Sequence, residues 1–326
     1  MPQVTVIVPC YNSYHLMKNC LKSLENQTFK EFEVIFIDDC STDQTYNLLL
    51  KYLEKSSLIY QLIKNDKNSG PGVSRNKGIK IANGDYISFM DSDDWYELDY
   101  LENMYNDAIN EDLDIVMCDY FRVYDNGKKK AMSPTRNLKN SLSKKEFLAY
   151  SFDSLCCMLI NKKLFDNLLI PAKFNAEDVA IIPVLLSKSK KNGIISKNLY
   201  NYYYRINSLS NNKPKNNCIV NSILDAYEYI NQNINKDFKK EIEFIGIKIV
   251  MYGAILNGIQ SDFKENELDL IIKEFTRIYP NWYKNEYIKT LPKSKQIFLF
   301  FVKNESYLNL KILNYIRSIL FNIKIA

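Results

Sequence analysis

One histidine in 326 residues is the first constraint. A Ser-His-Asp triad or a histidine-built metal centre would have to run through His15, for which a place on a helix surface is the simpler reading. The seven cysteines are an odd number, none stands in a CxxC pair, and Cys156 and Cys157 are adjacent, so neither a zinc cluster nor a dense disulfide framework fits. A reducing, cytoplasmic setting is expected. Uninterrupted apolar runs are short: "IFLFFV" at 297–302 falls far below the ~20 residues of a spanning helix. The chain runs at once into the strand-like "VTVIVPCYN", so no N-terminal targeting segment is expected. Biased tracts and internal repeats are lacking, and 46% hydrophobic with 25% charged residues excludes a disordered or fibrous class.

Charge of one sign is scarce in one place. From Lys293 onward, Lys293, Lys295, Lys303, Lys311, Arg317 and Lys324 face a single acid, Glu305, an excess equal to the +5 of the whole chain. No nucleic-acid partner is expected. The last segment, "SYLNLKILNYIRSILFNIKIA", spaces Leu308, Ile312, Ile316, Ile319 and Ile323 as one face of a helix with basic residues between them. Such a helix suits peripheral contact with an anionic bilayer, and equally packing on the protein's own core or a subunit interface, the last of which would make the chain a homo-oligomer.

What is present begins with alternation. Strands are predicted at 4–9, 32–38, 58–63, 86–91 and 114–121, and between them "HLMKNCLKSLEN", "TDQTYNLLLKYLEK", "GVSRNKGIKIAN" and "LDYLENMYNDAIN" have helical spacing. This predicts an α/β fold, a mostly parallel sheet with helices on both faces. Ser41 and Gln44 have capping-box spacing, and Asn83-Gly84 offers a left-handed helix exit. After the turn at Asp125-Asn126-Gly127, the basic stretch 128–140 reads as a mobile surface loop. "FNAEDVAIIPVLLSKSKK" reads as a loop entering a helix near Ala176, and 193–210 as a strand with its exit. From about Asn216 the pattern is helical, so two domains are expected, 1–212 and a helical C-terminal region over 213–326.

"YISFMDSDDWY" places three carboxylates within four positions behind an apolar run. At an extended strand end, Asp91 and Asp93 point to the same face, where a divalent cation would relieve their repulsion and hard oxygen ligands would favour Mg2+ or Mn2+. Capping of the helix expected near Leu98 is the competing explanation. Asp38-Asp39 end another strand, and "NSGPG" at 68–72 is a glycine-containing loop opening onto a helix with Arg75. With Tyr11, these groups describe a pocket for a nucleoside diphosphate at the carboxyl edge of the sheet.

"VTVIVPCYN", "VIFIDDCSTDQT", "NSGPGVSRNKGIKIANGDYISFMDSDD" and "NAEDV", in this order over roughly residues 1–210, resemble a family 2 glycosyltransferase. The resemblance implies a GT-A fold, with its Rossmann-like nucleotide-binding sheet, and inverting transfer from a nucleotide-activated sugar, most often a UDP-sugar, with Mn2+ or Mg2+. It divides the first domain into a nucleotide-sugar part (1–124) and an acceptor side (125–212). It places Pro9, Tyr11 and Asn12 around nucleobase and ribose, with Asp39 accepting a hydrogen bond from the base. Asn68, Gly70 and Arg75 would complete the uridine side. Asp91 would face ribose and sugar, and Asp93 the metal bridging the phosphates. Asp178 matches the catalytic base and Arg205 a position near the diphosphate. Bacterial members add sugars to surface polysaccharide, lipopolysaccharide or teichoic-acid-type glycans, so a glycan or lipid-linked glycan acceptor is implied. Glu177-Asp178 also suits a plain helix N-terminus, and Arg205 a salt bridge at a strand exit. A non-catalytic nucleotide-sugar or glycan-binding subunit and a sugar nucleotidyltransferase remain as alternatives.

Overall fold

A strand buried on both faces needs cover above and below, and β1 (Val4–Cys10) is such a strand, with Val4, Val6, Ile7 and Val8 sealed from solvent. The computed structural model describes residues 1–134, 142–150, 154–172, 176–205, 218–261 and 263–325. Parallel to β1 runs β2 (Phe32–Asp38), with Val4 opposite Phe32. Next come β3 (Tyr60–Lys64) parallel to β2, and β4 (Tyr86–Phe89) parallel to β1 on its other flank. Helices α1 (Lys18–Glu25), α2 (Thr45–Leu53) and α3 (Pro71–Ile81) connect them, and α4 (Tyr100–Asn110) follows. This is the expected alternation, and it brings Cys10, Asp38, Lys64 and Phe89 to one edge.

Downstream the strands are β5 (Trp95–Tyr96), β6 (Ile115–Val123), β7 (Lys129–Met132), β8 (Met158–Asn161) and β9 (Asn192–Tyr203). The sheet order is β3-β2-β1-β4-β8-β6-β9-β5, with β7 on β6. β8 lies antiparallel to both β4 and β6 and so joins the two parts of the sheet, while β6 and β9 are parallel with register shifts around Asp119. Two short helices, α5 (Lys144–Tyr150) and α6 (Glu177–Lys188), complete this unit. The sequence reading did not foresee β8.

Three local expectations are corrected. The second helix starts at Thr45, whose N–H is held by Asp43 Oδ1 at 2.8 Å, while the Ser41 hydroxyl accepts the Asn12 N–H at 2.9 Å; there is no Ser41–Gln44 capping box. α3 ends through an extended Ala82, and neither Asn83 nor Gly84 has positive φ. Gly84 answers to space instead, since a Cβ there would lie 2.6 Å from the Val4 and Thr5 backbone. Gly84→Ala is therefore expected to cost about 1–3 kcal/mol, read as a lowered Tm. The basic stretch begins as a hairpin: Lys129–Met132 pairs with β6 across a turn in which Gly127 takes φ +76°. Residues 135–140, the boundary stretch 211–216 and Asn175 lie outside the described residues.

Contacts divide the chain into two compact units, Met1–Lys173 with Glu177–Asn212, and Lys213–Ala326 with Phe174–Ala176. The second is helical. It contains α7 (Cys218–Asn233), α8 (Lys239–Gly246) continuing through a π-helical stretch (Ile247–Ala254) into α9 (Ile255–Gln260), then α10 (Glu265–Ile278), α11 (Lys293–Lys303) and α12 (Tyr307–Ile325). The helix Lys236–Gln260 is long and apolar enough to cross a membrane by length and composition, and 61% of its most apolar window is buried in the folded chain. Counting uninterrupted runs misses it because Glu243, Lys248 and glycines break the sequence. On α12, Leu308, Ile312, Tyr315, Ile316 and Ile319 are exposed along one face.

Candidate functional site

The loops that follow β1 and β2 are tied together by Asn12. It takes φ +48°, which asparagine tolerates better than most residues. Its Oδ1 accepts the N–H groups of Thr42 at 2.9 Å and Asp43 at 3.3 Å, and its Nδ2 donates to the Thr42 hydroxyl at 3.1 Å. Pro9 is half-buried beside it, and Tyr11 is 44% exposed at the mouth.

Asp39 organises the next loop. Its buried carboxylate accepts Asn65 Nδ2 at 2.7 Å, the Ser69 N–H at 3.1 Å and the Gly70 N–H at 2.7 Å. Gly70 needs its missing side chain for φ +84°, and Pro71 then opens α3 with the φ a first helical residue wants. Asn68 stands exposed on this loop.

The acidic turn after β4 separates its carboxylates by role. Asp94 is buried, accepting the Tyr200 hydroxyl at 2.6 Å and the Tyr203 N–H at 2.8 Å, which pins the turn to β9. Burial and the charges of Asp93 and Asp91 push its carboxyl well above the usual range. Asp93 pairs with Arg205, and Asp91, 45% exposed at its side chain, accepts Arg75 Nη2 at 2.9 Å.

Arg75 reaches from α3 into the middle of this edge. The resemblance placed it on the uridine side; its guanidinium, only 4% exposed, engages Asp91 with Nη2 and spends Nη1 on Glu177 at 2.8 Å and Asp178 at 3.5 Å. The other oxygen of Asp178 accepts the Leu155 N–H at 3.1 Å. Burial, more than the neighbouring Glu177 charge, pushes the Asp178 carboxyl up to about 7 against the pull of Arg75. Asp91, Asp93, Asp178, Arg75 and Arg205 thus form one cluster, whereas Asn12 and Asp39 are engaged by the loops they hold.

Residues 5–169 match the family described as Glycosyl transferase family 2. The chain belongs to glycosyl transferase family 2. It is 28% identical over 220 residues to glycosyltransferase GlyA of Streptococcus pneumoniae, a match covering 64% of this chain and 31% of GlyA. The chain spans about a third or less of the length of several curated relatives it matches. The crystal structure of Staphylococcus aureus TarS 1–349 in complex with UDP superposes with a TM-score of 0.67 at 22% identity, covering 97% of this chain and 90% of that one. The mannosyltransferase PcManGT of Pyrobaculum calidifontis, in complex with GDP-Man and Mn2+, gives a TM-score of 0.57 at 15% identity, covering 95% and 87%. These likenesses establish the GT-A fold.

A divalent cation fits the donor set of this family 2 site. Among the described residues no three His, Cys, Asp or Glu side chains converge as a cage. Asp93 would supply one hard oxygen and leave the remaining positions to phosphate oxygens and water, as Mg2+ or Mn2+ prefers. Asp91, Asp93, Glu177 and, once ionised, Asp178 face two guanidinium groups here, while buried Asp94 adds no full charge, so an added cation would offset the remaining excess. The sequence reading had Asp94 as one of three acids in the turn and Glu177 as part of a helix N-terminus, with no site role for either, and the Tyr200 hydroxyl and the Leu155 N–H carried no local signal.

Proposed function

We propose that the chain is an inverting glycosyltransferase moving a sugar from a UDP-sugar, held with Mn2+ or Mg2+, to a hydroxyl of a glycan or lipid-linked glycan acceptor in bacterial surface-glycan assembly. The observation that carries this reading is Asp178, a carboxylate with its midpoint near neutrality, joined through one guanidinium to Asp91 of the acidic turn after β4. TarS complexes with UDP and with UDP-GlcNAc on the same fold support the donor, and relatives named as poly(ribitol-phosphate) transferases support the acceptor class.

In this reading Asp178 takes the proton of the acceptor hydroxyl while that oxygen bonds to the anomeric carbon. The bond from that carbon to the phosphate oxygen breaks on the opposite face, and its electron pair leaves with UDP. A single displacement inverts the stereochemistry. A divalent cation, when bound, supplies positive charge for the departing diphosphate, and Asp93 is the residue to hold it. Arg205, beside Asp93, adds a second positive group where charge grows on the leaving group. Asp39 orders the loop that receives the base, and Tyr11 offers an exposed ring at its mouth.

Calorimetric titration of UDP into wild type and Asp93→Ala, each with and without Mn2+, tests the donor site. Metal-dependent tightening in the wild type, lost in the variant, is expected; absence of UDP binding under every condition would sink the reading. A sugar nucleotidyltransferase would instead release pyrophosphate from a nucleoside triphosphate, which a product assay separates.

The acceptor reading extends to α12, whose exposed apolar face sits in a segment with six basic residues and one acid, a match for an anionic bilayer. Leu308→Glu with Ile316→Glu is expected to reduce cosedimentation with phosphatidylglycerol vesicles at least tenfold. Unchanged sedimentation with a changed oligomeric state would instead assign the face to a second copy.

A further inference from the structure

Arg75 carries an inference that rests on the transfer reading and deepens it. Three facts converge on this side chain. It is almost completely buried, its Nη1 and Nη2 reach three carboxylates, and those carboxylates come from the turn after β4 and the start of α6. Its own helix begins at Gly70, which Asp39 holds, and its neighbour Ser74 accepts Asn65 Nδ2 at 3.0 Å within the same network. One short helix therefore connects the nucleotide-side loop, the donor-facing carboxylate and the proton acceptor.

We propose that Arg75 is a positioning residue for proton transfer: it sets the Asp178 carboxylate against Asp91 and supplies the positive charge that offsets the crowding of Glu177 and Asp178. The planar fork matters, because one nitrogen serves Asp91 while the other serves the Glu177-Asp178 pair. A lysine ammonium carries the charge but cannot hold both sides in fixed directions. The groups facing Asp178 are Arg75 from α3, Glu177 from its own helix, Asp91 from the acidic turn, and Cys156 beside the Leu155 N–H. Arg75 favours the ionised carboxylate and Glu177 opposes it, so the two have opposite signs.

The test reads signs as well as rates. The pH dependence of kcat/KM for transfer, and the 13C carboxylate titration of Asp178, are measured in wild type, Arg75→Lys, Arg75→Gln and Glu177→Gln. The wild-type ascending limb is expected near pH 7. In Arg75→Gln it moves up by about one to three units, the range an adjacent opposite charge commands. In Glu177→Gln it moves down. Arg75→Lys keeps the midpoint close to the wild type but lowers kcat about 10- to 100-fold with donor KM little changed, the mark of lost orientation. Should Arg75→Gln fail to fold, the other two variants decide.

Unmoved midpoints in a wild type and variants that all turn over would overturn the role of Arg75, as would a shift of the same sign in Arg75→Gln and Glu177→Gln. A wild type that titrates as expected yet transfers no sugar from any nucleotide donor would overturn the transfer reading instead, and this role with it.

Discussion

Asp178→Asn is expected to lower kcat for sugar transfer by about 10²–10⁴-fold, the usual contribution of a positioned general base, while UDP binding stays at the wild-type level. The amide keeps the size of the side chain and can still accept the Leu155 N–H, so the loss isolates proton acceptance from architecture. In the wild type the rate rises with pH through about 7 and levels above it, because the carboxylate must be free of its proton. Stability runs the other way. The folded carboxyl binds its proton more tightly than an unfolded aspartate, so the native state binds more protons between the two midpoints. Stability is then highest on the acid side of this window and falls as pH rises through about 7. Asp178→Asn removes that penalty while Arg75 keeps Asp91 and Glu177, so the variant should melt no lower than wild type at pH 8, and higher if the penalty is uncompensated. A variant that retains transfer within threefold, or that melts well below wild type at pH 8, would remove Asp178 from the base role.

Legibility followed the range of the interaction. The core strand Phe32–Asp38 was readable to the residue, because a buried parallel strand writes itself as a nearly continuous apolar run, interrupted here only by Glu33 and closed by Asp38-Asp39. Met158–Asn161 was not, because "LCCMLINKK" has no alternation, and its strand character comes only from β4 and β6 on either side. Gly84 showed its importance but not its reason: a left-handed exit and a close backbone approach both select glycine, and only the packing against Thr5 distinguishes them. The acidic turn named the right carboxylates and concealed their division of labour. Asp91 faces Arg75, Asp93 faces Arg205, and Asp94 is spent on Tyr200 and Tyr203, partners more than 100 positions away. Arg75 is the extreme case. Glycine-loop context suggests the nucleotide, whereas its charge is claimed by a pair 102 and 103 positions downstream.

Asp39→Ala carries the largest expected effect on stability, about 3–5 kcal/mol, together with a loss of UDP affinity of at least 100-fold. Three donors depend on this carboxylate: Asn65 Nδ2, the Ser69 N–H and the Gly70 N–H. Hydrogen bonds to a charged acceptor contribute about 1.5–3 kcal/mol each, and the sum is reduced because neighbouring contacts are not additive and water enters the gap. The functional consequence comes through Gly70. With its N–H unheld, the left-handed turn that aims α3 loses its anchor, and Arg75 is carried on that helix. Asp39→Asn should recover little, because its amide places an N–H donor toward the backbone N–H groups of Ser69 and Gly70, where only an acceptor fits. Urea melts, UDP calorimetry and hydrogen exchange over 65–72 separate the effects. Faster exchange confined to this loop with reduced UDP binding is the expected pattern. A Tm within about 2 °C of wild type and unchanged exchange would mean that the loop is held by something other than Asp39.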